Sequence, residues 1–113
     1  MSWDEVEEFR KLKNLKRMTL NKNFIKKINY KAGWPELYML SIEDNIIENH
    51  GSLDALNDFP QVRNLRINGN PIMGEAQERS REYVIARSQF LTQLNGTVFS
   101  ENERRDCELF YLK

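Results

Sequence analysis

The chain has 113 residues, of which 40% are hydrophobic and 30% charged, so it fits one soluble globular domain with a modest core. Lys and Arg total 17, as do Asp and Glu, and the net charge of zero gives no overall attraction to nucleic acid or membrane. No apolar run approaches the roughly 20 residues that span a bilayer, and one cysteine with one histidine excludes an internal disulfide and a zinc cluster.

The N-terminal stretch is acidic, so it is not a secretory signal. We predict that it is the end of an earlier unit. Apolar residues fall there at three-residue intervals, which keeps one face of a turn or helix inward: Trp3, Val6, Phe9, Leu12, Leu15 and Met18. Residues 1–12 contain no polar cap of the kind that repeat solenoids usually need. We therefore expect that the chain begins inside a longer array and that its first unit exposes an edge.

One spacing of apolar residues then recurs three times, each time ending in an asparagine. The first copy is Leu12, Leu15, Met18, Leu20, Asn23 and Ile25, with Lys13 where the later copies have proline. The second copy is Trp34, Pro35, Leu37, Leu40, Ile42, Asn45 and Ile47. The third copy is Phe59, Pro60, Val62, Leu65, Ile67, Asn70 and Ile72. The asparagines are 22 and 25 residues apart, a period that predicts leucine-rich repeats.

Each copy has a mechanical reason for its spacing. Alternating residues of a short strand point to opposite faces, so Leu40 and Ile42 enter the core while Ser41 does not. We predict a parallel sheet on the concave face, through Met18–Leu20, Leu40–Ile42 and Leu65–Ile67. The asparagine amide can then satisfy backbone groups where the chain leaves the strand, because an unpaired buried group costs about 1–3 kcal/mol.

The segment from Arg10 to Lys31 carries nine basic residues and no acidic one. Such a run is explained by a solvated repeat face or by a basic docking patch. Phe24, Tyr30 and Trp34 lie among or beside these charges, an arrangement that could stack the bases of single-stranded RNA. Trp34 occupies a core place of the repeat, which argues against that reading.

Helices are predicted between and after the repeats. In the connection from Ile47 to Phe59, Ser52 is expected to cap a short helix that buries Leu53 and Leu56, and Pro60 to stop it. A second helix is predicted from Glu75 to Phe90, with one face formed by Ala76, Tyr83, Ala86 and Phe90 beside Val84 and Ile85. A degenerate fourth strand at Leu91 and Leu94 and a turn at Asn95-Gly96 follow it. The last helix begins with a capping box at Ser100–Glu103 and carries on one face Cys107, Phe110 and Tyr111. The last helix has no stop signal, so we expect that the C-terminus is also cut.

The predicted architecture is an α/β leucine-rich repeat solenoid with a helical C-terminal cap. Its repeats are 12–33, 34–58 and 59–74, followed by the cap at 75–113. The glycines are spread singly, and no GxGxxG or Walker loop is present. We therefore expect no cofactor, no metal site and no catalytic residues.

A set of side chains on the concave face alternates with the core residues and is the candidate binding site. Its columns are Arg17, Met39, Asn64 and Gln93; Thr19, Ser41, Arg66 and Asn95; and Asn21, Glu43 and Asn68, with Lys16, Tyr38 and Arg63 flanking them. Tyr and Arg are the types enriched where interface energy concentrates, which favours a docking face for a partner protein. The alternative is that these are solvated strand residues.

The C-terminal third, from Arg81 to Lys113, resembles the close of the leucine-rich repeat domain in the tubulin-folding cofactor E family, which includes an E-like relative. The matching places are Ile85-Ala86, Leu91, Leu94-Asn95, Glu103-Arg104-Arg105 and Glu108-Leu109-Phe110-Tyr111. The segment from Phe59-Pro60 to Pro71 also matches the last regular repeat of the family. The resemblance covers most of the chain, but before Trp34 it is only that of a generic repeat.

The resemblance implies a non-enzymatic chaperone function. Members of the family bind α-tubulin and work with the other tubulin-folding cofactors to assemble or dismantle the tubulin heterodimer. The implied partners are therefore α-tubulin and those cofactors, with no nucleic acid and no membrane, and the implied location is the cytoplasm and cytoskeleton. In the family, a CAP-Gly domain or a ubiquitin-like domain can flank the repeats, and neither is part of this chain.

Two other classes of function remain open on the residues alone. The chain could be a leucine-rich repeat interaction module of another complex, including an RNA-processing one. The other class is an enzyme. The abundant carboxylates of the chain do not argue for catalysis, because a general acid or base needs a pocket and a shifted pKa.

Overall fold

The computed structural model describes residues 3–6, 8–9, 12–29, 34–48, 50–59, 61–73, 77–88 and 90–111. The elements in chain order are α1 (Trp3–Val6), β1 (Arg17–Thr19), β2 (Met39–Ser41), α2 (His50–Leu56), β3 (Asn64–Arg66), α3 (Gln77–Arg87), β4 (Gln93–Leu94), β5 (Thr97–Val98) and α4 (Glu101–Tyr111). A short 3₁₀ turn, Pro71–Met73, lies between β3 and α3. None of the described helices is long and apolar enough to cross a bilayer.

The strands form one five-stranded sheet in the order of the chain. The first four strands are parallel, with Met18 beside Leu40, Leu40 beside Leu65 and Leu65 beside Leu94. These pairings confirm the predicted repeat register and the degenerate fourth strand. Each of the three predicted strands begins and ends one residue too late, which leaves the same side chains buried.

The sheet ends in an element that the sequence did not predict. Strand β5 pairs antiparallel with β4, because the chain reverses at Asn95 and Gly96. Both residues have positive φ, 51° and 87°, the backbone of the tight hairpin turn that Asn-Gly favours. The turn was predicted at this place, and the strand that follows it was not.

The core runs along the inner side of the sheet and is extended by an aromatic cluster. The ring of Trp34 stacks on that of Phe59 with centroids 5.8 Å apart, and Trp3 meets both edge-on at 6.1 Å. Trp3 and Val6 are buried, so α1 covers part of the core of the early repeats. The prediction that Phe9 and Leu12 also point inward is wrong, because both are exposed.

The repeat asparagines form a ladder that links each unit to the next. Oδ1 of Asn45 accepts hydrogen bonds from the backbone N–H groups of Asn23 (2.8 Å) and Ile25 (3.0 Å) in the preceding unit. Its amide nitrogen donates to carbonyls in both units, including Leu20 (3.0 Å). Asn70 repeats the arrangement one unit later, accepting from Ile47 at 3.1 Å. These bonds satisfy buried backbone groups, which is the structural role predicted for the asparagines.

The helices agree with the sequence in place and differ in detail. Leu53 and Leu56 are buried in α2 as predicted, but Ser52 is not its cap: it lies inside the helix, and its hydroxyl accepts the Ile28 N–H at 3.0 Å. Helix α2 ends at Leu56 and a turn follows, while Pro60, the predicted stop, lies outside the described residues.

The two cap helices pack against each other. Val84, Ile85 and Ala86 of α3 are buried, as is Cys107 of α4. The predicted capping box is present in its first half, since Ser100 Oγ accepts the Glu103 N–H at 3.1 Å, while Glu103 pairs with Arg81 of α3. The prediction that α3 extends to a buried Phe90 is wrong, because the helix ends at Arg87. Ala76 and the side chains of Phe110 and Tyr111 lie outside the described part of the chain.

The residue before each repeat asparagine has a left-handed backbone, with φ of 61° at Lys22, 56° at Asp44 and 77° at Gly69. Only glycine takes such a conformation without steric cost. At Gly69 space is also limited, because an added Cβ would lie 2.1 Å from Asp44 Oδ1. The third repeat therefore requires glycine where the first two tolerate larger residues.

Gly69→Ala is accordingly expected to lower the free energy of unfolding by about 1–2 kcal/mol, the cost of a left-handed non-glycine residue, with a further loss if the Asp44 carboxylate cannot move. Urea denaturation measures the change. The double variant Asp44→Gly with Gly69→Ala removes the clash and one strained residue, so it should recover most of the loss. Equal stability of the Gly69→Ala variant and the parent would contradict the close approach.

Candidate protein-docking face

The columns predicted for the concave face follow the strand register, which brings their residues side by side on neighbouring strands. Arg17 pairs with Met39, Met39 with Asn64, and Asn64 with Gln93, so the first column is continuous across four strands. The second column runs through Thr19, Ser41 and Arg66. Backbone hydrogen bonds extend this register beyond both ends of the strands. Before the strands, Tyr38 N donates to Lys16 O and Arg63 N donates to Tyr38 O. After the strands, Lys22 N donates to Glu43 O and Asp44 N donates to Asn68 O.

Exposure divides these residues into two groups. The exposed ones are Lys16, Arg17, Thr19, Tyr38 and Asn68, and the half-buried ones are Asn21, Met39, Glu43, Arg63, Asn64, Arg66 and Gln93. Ser41 is 2% exposed, and its hydroxyl donates to Asn21 Oδ1 at 2.8 Å. The same oxygen accepts the Glu43 N–H at 2.8 Å. Ser41 and Asn21 therefore hold β1 to β2 rather than offer free polar groups to a partner.

Two arginines of this face lie against aromatic rings. The guanidinium of Arg17 is 5.6 Å from the ring centroid of Tyr38, and its Nε donates to the Tyr38 hydroxyl at 2.5 Å. The guanidinium of Arg63 is 5.2 Å from the ring centroid of Phe90. Such contacts hold long side chains in place while leaving the charge available, which lowers the entropy lost on binding.

Phe90 and Gly96 are the contributors to this face that the sequence did not indicate. Phe90 follows the end of α3 and is exposed beside Arg63. Gly96 lies next to Arg66, since an added Cβ there would be 3.5 Å from Arg66 Nη2. The early end of α3 and the hairpin turn bring them there; the turn at Asn95 and Gly96 was predicted from the sequence, but the end of α3 at Arg87 and the position of the turn beside Arg66 were not.

Asn95 was aligned with Arg66 in the predicted second column, but it acts differently. Its Oδ1 accepts the Ile67 N–H at 2.7 Å, which is what Asn70 does for Ile47 one unit earlier. The fourth unit is shorter than the frame, so its asparagine directly follows Leu94. Asn95 is therefore a rung of the asparagine ladder.

The charge on this face is mostly positive. Lys16, Arg17, Arg63 and Arg66 carry it, and Glu43 is the acidic residue among those predicted. The basic run extends beyond the face, because Lys13, Lys22, Lys26 and Lys27 are exposed, while Arg10, Lys11 and Lys31 lie outside the described residues. Phe24 is exposed among them, Trp34 is buried in the core, and Tyr30 is not described.

The described residues contain no cluster of three or more side chains suited to holding a metal ion. Cys107 is buried, and desolvation raises the pKa of its thiol, so it is a poor nucleophile at neutral pH.

The protein-family comparison matches residues 2–113, nearly the whole chain, to a leucine-rich repeat family model. The chain belongs to the leucine-rich repeat family. A chain of the crystal structure of the Drosophila melanogaster SNF/U2A' complex superimposes with a TM-score of 0.78 at 22% identity, covering 90% of this chain and 59% of that one. That likeness confirms the leucine-rich repeat fold predicted from the asparagine period.

Among the similar curated proteins are two that carry the family name that the C-terminal motifs predicted. The human tubulin-specific chaperone cofactor E-like protein is 32% identical over 81 residues, 71% of this chain and 19% of its own length. The Arabidopsis thaliana tubulin-folding cofactor E is 30% identical over 123 aligned positions, 98% of this chain and 23% of its own length. The human leucine-rich repeat-containing protein 23 is 27% identical over 106 residues, 93% of this chain and 30% of that protein. The leucine-rich repeat chain thus spans about a fifth to a third of these relatives.

Proposed function

We propose that this leucine-rich repeat chain is a non-enzymatic module that docks α-tubulin through its concave face and serves, with other tubulin-folding cofactors, in assembling or dismantling the tubulin heterodimer. The similarity to tubulin-folding cofactor E over 98% of the chain carries the proposal. The module acts in the cytoplasm, on the cytoskeleton's building block, without nucleic acid or membrane. Catalysis is not required, because docking needs only a held surface.

The chemistry of the concave face supports this partner. Tubulin is acidic, and Arg17, Arg63 and Arg66 present positive charge across the sheet. Arg17 and Arg63 are held against aromatic rings, so they enter the complex with less conformational freedom to lose. Rim charges of this kind act chiefly on the association rate and on register.

Reversing Arg17 and Arg66 together to glutamate is therefore expected to weaken binding of the purified αβ-tubulin heterodimer by about tenfold or more, mainly through a slower association rate. The dependence of binding on salt should flatten, because the opposite charges that salt screens are gone. Surface-immobilised binding kinetics at several salt concentrations measure both effects. Unchanged melting of the variant would show that the fold is intact.

The matched control is Lys13→Glu with Arg105→Glu, which makes the same change of charge at exposed positions outside the predicted columns. It should leave the association rate within about twofold of the parent value. If the control loses binding and the concave variant keeps it, tubulin does not dock on the concave face.

A second candidate function is a leucine-rich repeat interaction module in another complex, including an RNA-processing one. The observation that favours it is the likeness, at a TM-score of 0.78, to a chain of the SNF/U2A' complex. A pull-down that offers tubulin and RNA separately distinguishes the two. Capture of RNA without tubulin would favour the second candidate.

A further inference from the structure

An apolar feature lies outside the concave face, at the residue that directly follows each repeat asparagine. Phe24 is 76% exposed and Ile46 is 36% exposed, and Pro71 at the same place in the third repeat is also exposed. We call these three residues the apolar stripe. The repeats stack at the strand spacing of about 4.8 Å, so the three residues lie side by side across the solenoid.

The asparagine ladder explains why these side chains point to solvent. Asn45 Oδ1 binds the backbone N–H groups of Asn23 and Ile25, the residues on either side of Phe24. The neighbouring backbone is held as well, since Ile46 N donates to Ile25 O at 2.9 Å. With both neighbours fixed toward the next repeat and Ile25 buried in the core, the side chain between them faces outward.

Folding does not require an aromatic residue at Phe24. Its φ is 57°, a left-handed conformation in which a bulky residue is an outlier and in which asparagine or glycine is favoured. Its ring is also mostly in water, so it contributes little to the core. A residue that costs conformational energy and gains little burial points to a role in binding.

A cleft of about 480 Å³ lies beside the stripe and has charged walls. It is lined by Lys26 and Lys27 from the first repeat, Ile46 and Glu48 from the second, and Pro71 from the third. The two lysines belong to the first repeat, two and three residues after Phe24, and the glutamate belongs to the second repeat. An occupant would therefore need an apolar side chain in the cleft and negative charge toward the first repeat.

We propose that the apolar stripe and its cleft form a second docking site, which takes a peptide segment of a partner protein with a large apolar side chain flanked by acidic residues. Ile46 and Pro71 contact the apolar side chain, Lys26 and Lys27 pair with the acidic residues, and Glu48 keeps those residues at the first-repeat end. The site is independent of tubulin docking on the concave face.

The lining favours a peptide over single-stranded RNA. Base stacking needs flat aromatic platforms, and of the three stripe residues only Phe24 supplies one. Glu48 would also repel a phosphate backbone. An aliphatic wall beside two lysines instead matches a side chain such as leucine or phenylalanine next to glutamate.

The probe is a fluorescein-labelled peptide with a central Phe-Leu pair flanked on both sides by glutamates, titrated with the whole chain and followed by fluorescence anisotropy. Two matched probes replace the glutamates by glutamine or the Phe-Leu pair by serines, and an oligouridylate tests RNA. We expect the parent probe to bind at least about tenfold more tightly than either altered peptide. Amide NMR shifts should centre on residues 22–27, 46–48 and 72, since Pro71 itself has no amide N–H.

Three variants test the site without disturbing the fold. Phe24→Asn keeps a residue that tolerates the left-handed backbone and should weaken the probe by about tenfold. Lys26→Glu with Lys27→Glu should weaken it by a similar factor, whereas Lys13→Glu with Arg105→Glu, the same change of charge elsewhere, should not. Glu48→Lys should strengthen binding by about threefold, a gain that misfolding cannot produce.

The proposal is overturned if the parent probe and the serine probe bind equally well, or if Phe24→Asn and Glu48→Lys leave the affinity unchanged. It is also overturned if the oligouridylate binds with the same dependence on Phe24 while the peptide does not, or if the shifts centre on Arg17 and Arg66. The reversal of Arg17 and Arg66 should leave peptide binding intact, so failure of one site is distinguishable from failure of the other.

Discussion

Replacing Leu40 by alanine is expected to lower the free energy of unfolding by about 2–5 kcal/mol, as for other fully buried leucines. Leu40 is the middle residue of β2, is 0% exposed, and pairs with Met18 on one side and Leu65 on the other. Truncation leaves a cavity at the centre of the stack, where rigid neighbours on both sides limit collapse. Domains of this size are stable by only about 5–15 kcal/mol, so the variant should unfold at much lower urea concentration.

The matched control is Leu109→Ala, the same chemical change at a leucine that is 58% exposed on α4. It should change stability by no more than about 0.5 kcal/mol. Chemical denaturation followed by circular dichroism compares the two variants. If Leu40→Ala and Leu109→Ala unfold at the same urea concentration, Leu40 is not the packed centre of the sheet.

The repeat register was predictable because its determinants are local. A strand of three residues needs a buried middle residue, and a chain that leaves a parallel strand needs a side chain to satisfy its backbone. These needs put Leu40 and Leu65 beside each other on neighbouring strands and gave Asn45 and Asn70 their places. The concave columns follow from the same register, although whether a partner binds there stays a prediction.

The departures come from contacts between distant parts of the chain. Ser52 has the type and place of a helix cap, but its hydroxyl accepts the Ile28 N–H of the previous unit, and α2 begins at His50, two residues before Ser52. By sequence spacing Asn95 falls in the second concave-face column, because its unit is shorter than the other repeats. The hydrogen bond from Ile67 N–H to Asn95 Oδ1 shows that it belongs to the asparagine ladder instead. Phe90 fits a helical face by spacing, yet α3 has already ended and the ring packs beside Arg63.

A further departure concerns two adjacent arginines of α4, of which one is buried and the other exposed. Arg105 is exposed, whereas Arg104 is 8% exposed at the junction of α4 with α3. The Arg104 guanidinium donates to the carbonyls of Ile85 and Ser88 at the C-terminal end of α3, and to that of Leu91 in the following loop. It also lies 5.2 Å from the ring centroid of Phe99. One cation thus satisfies carbonyls that the helix end leaves without N–H partners and complements the negative end of its dipole.

Arg104→Met is therefore expected to lower the free energy of unfolding by about 3 kcal/mol or more, because it keeps the length of the side chain but removes the donors that the guanidinium supplies to three buried carbonyls. Arg105→Met, one residue away and exposed, should cost no more than about 0.5 kcal/mol. Arg104→Lys should fall between them, because a single ammonium group cannot reproduce the forked geometry. Urea denaturation gives the stabilities, and amide exchange should rise first in residues 84–91. If Arg104→Met and Arg105→Met are equally stable, the guanidinium does not join the two cap helices.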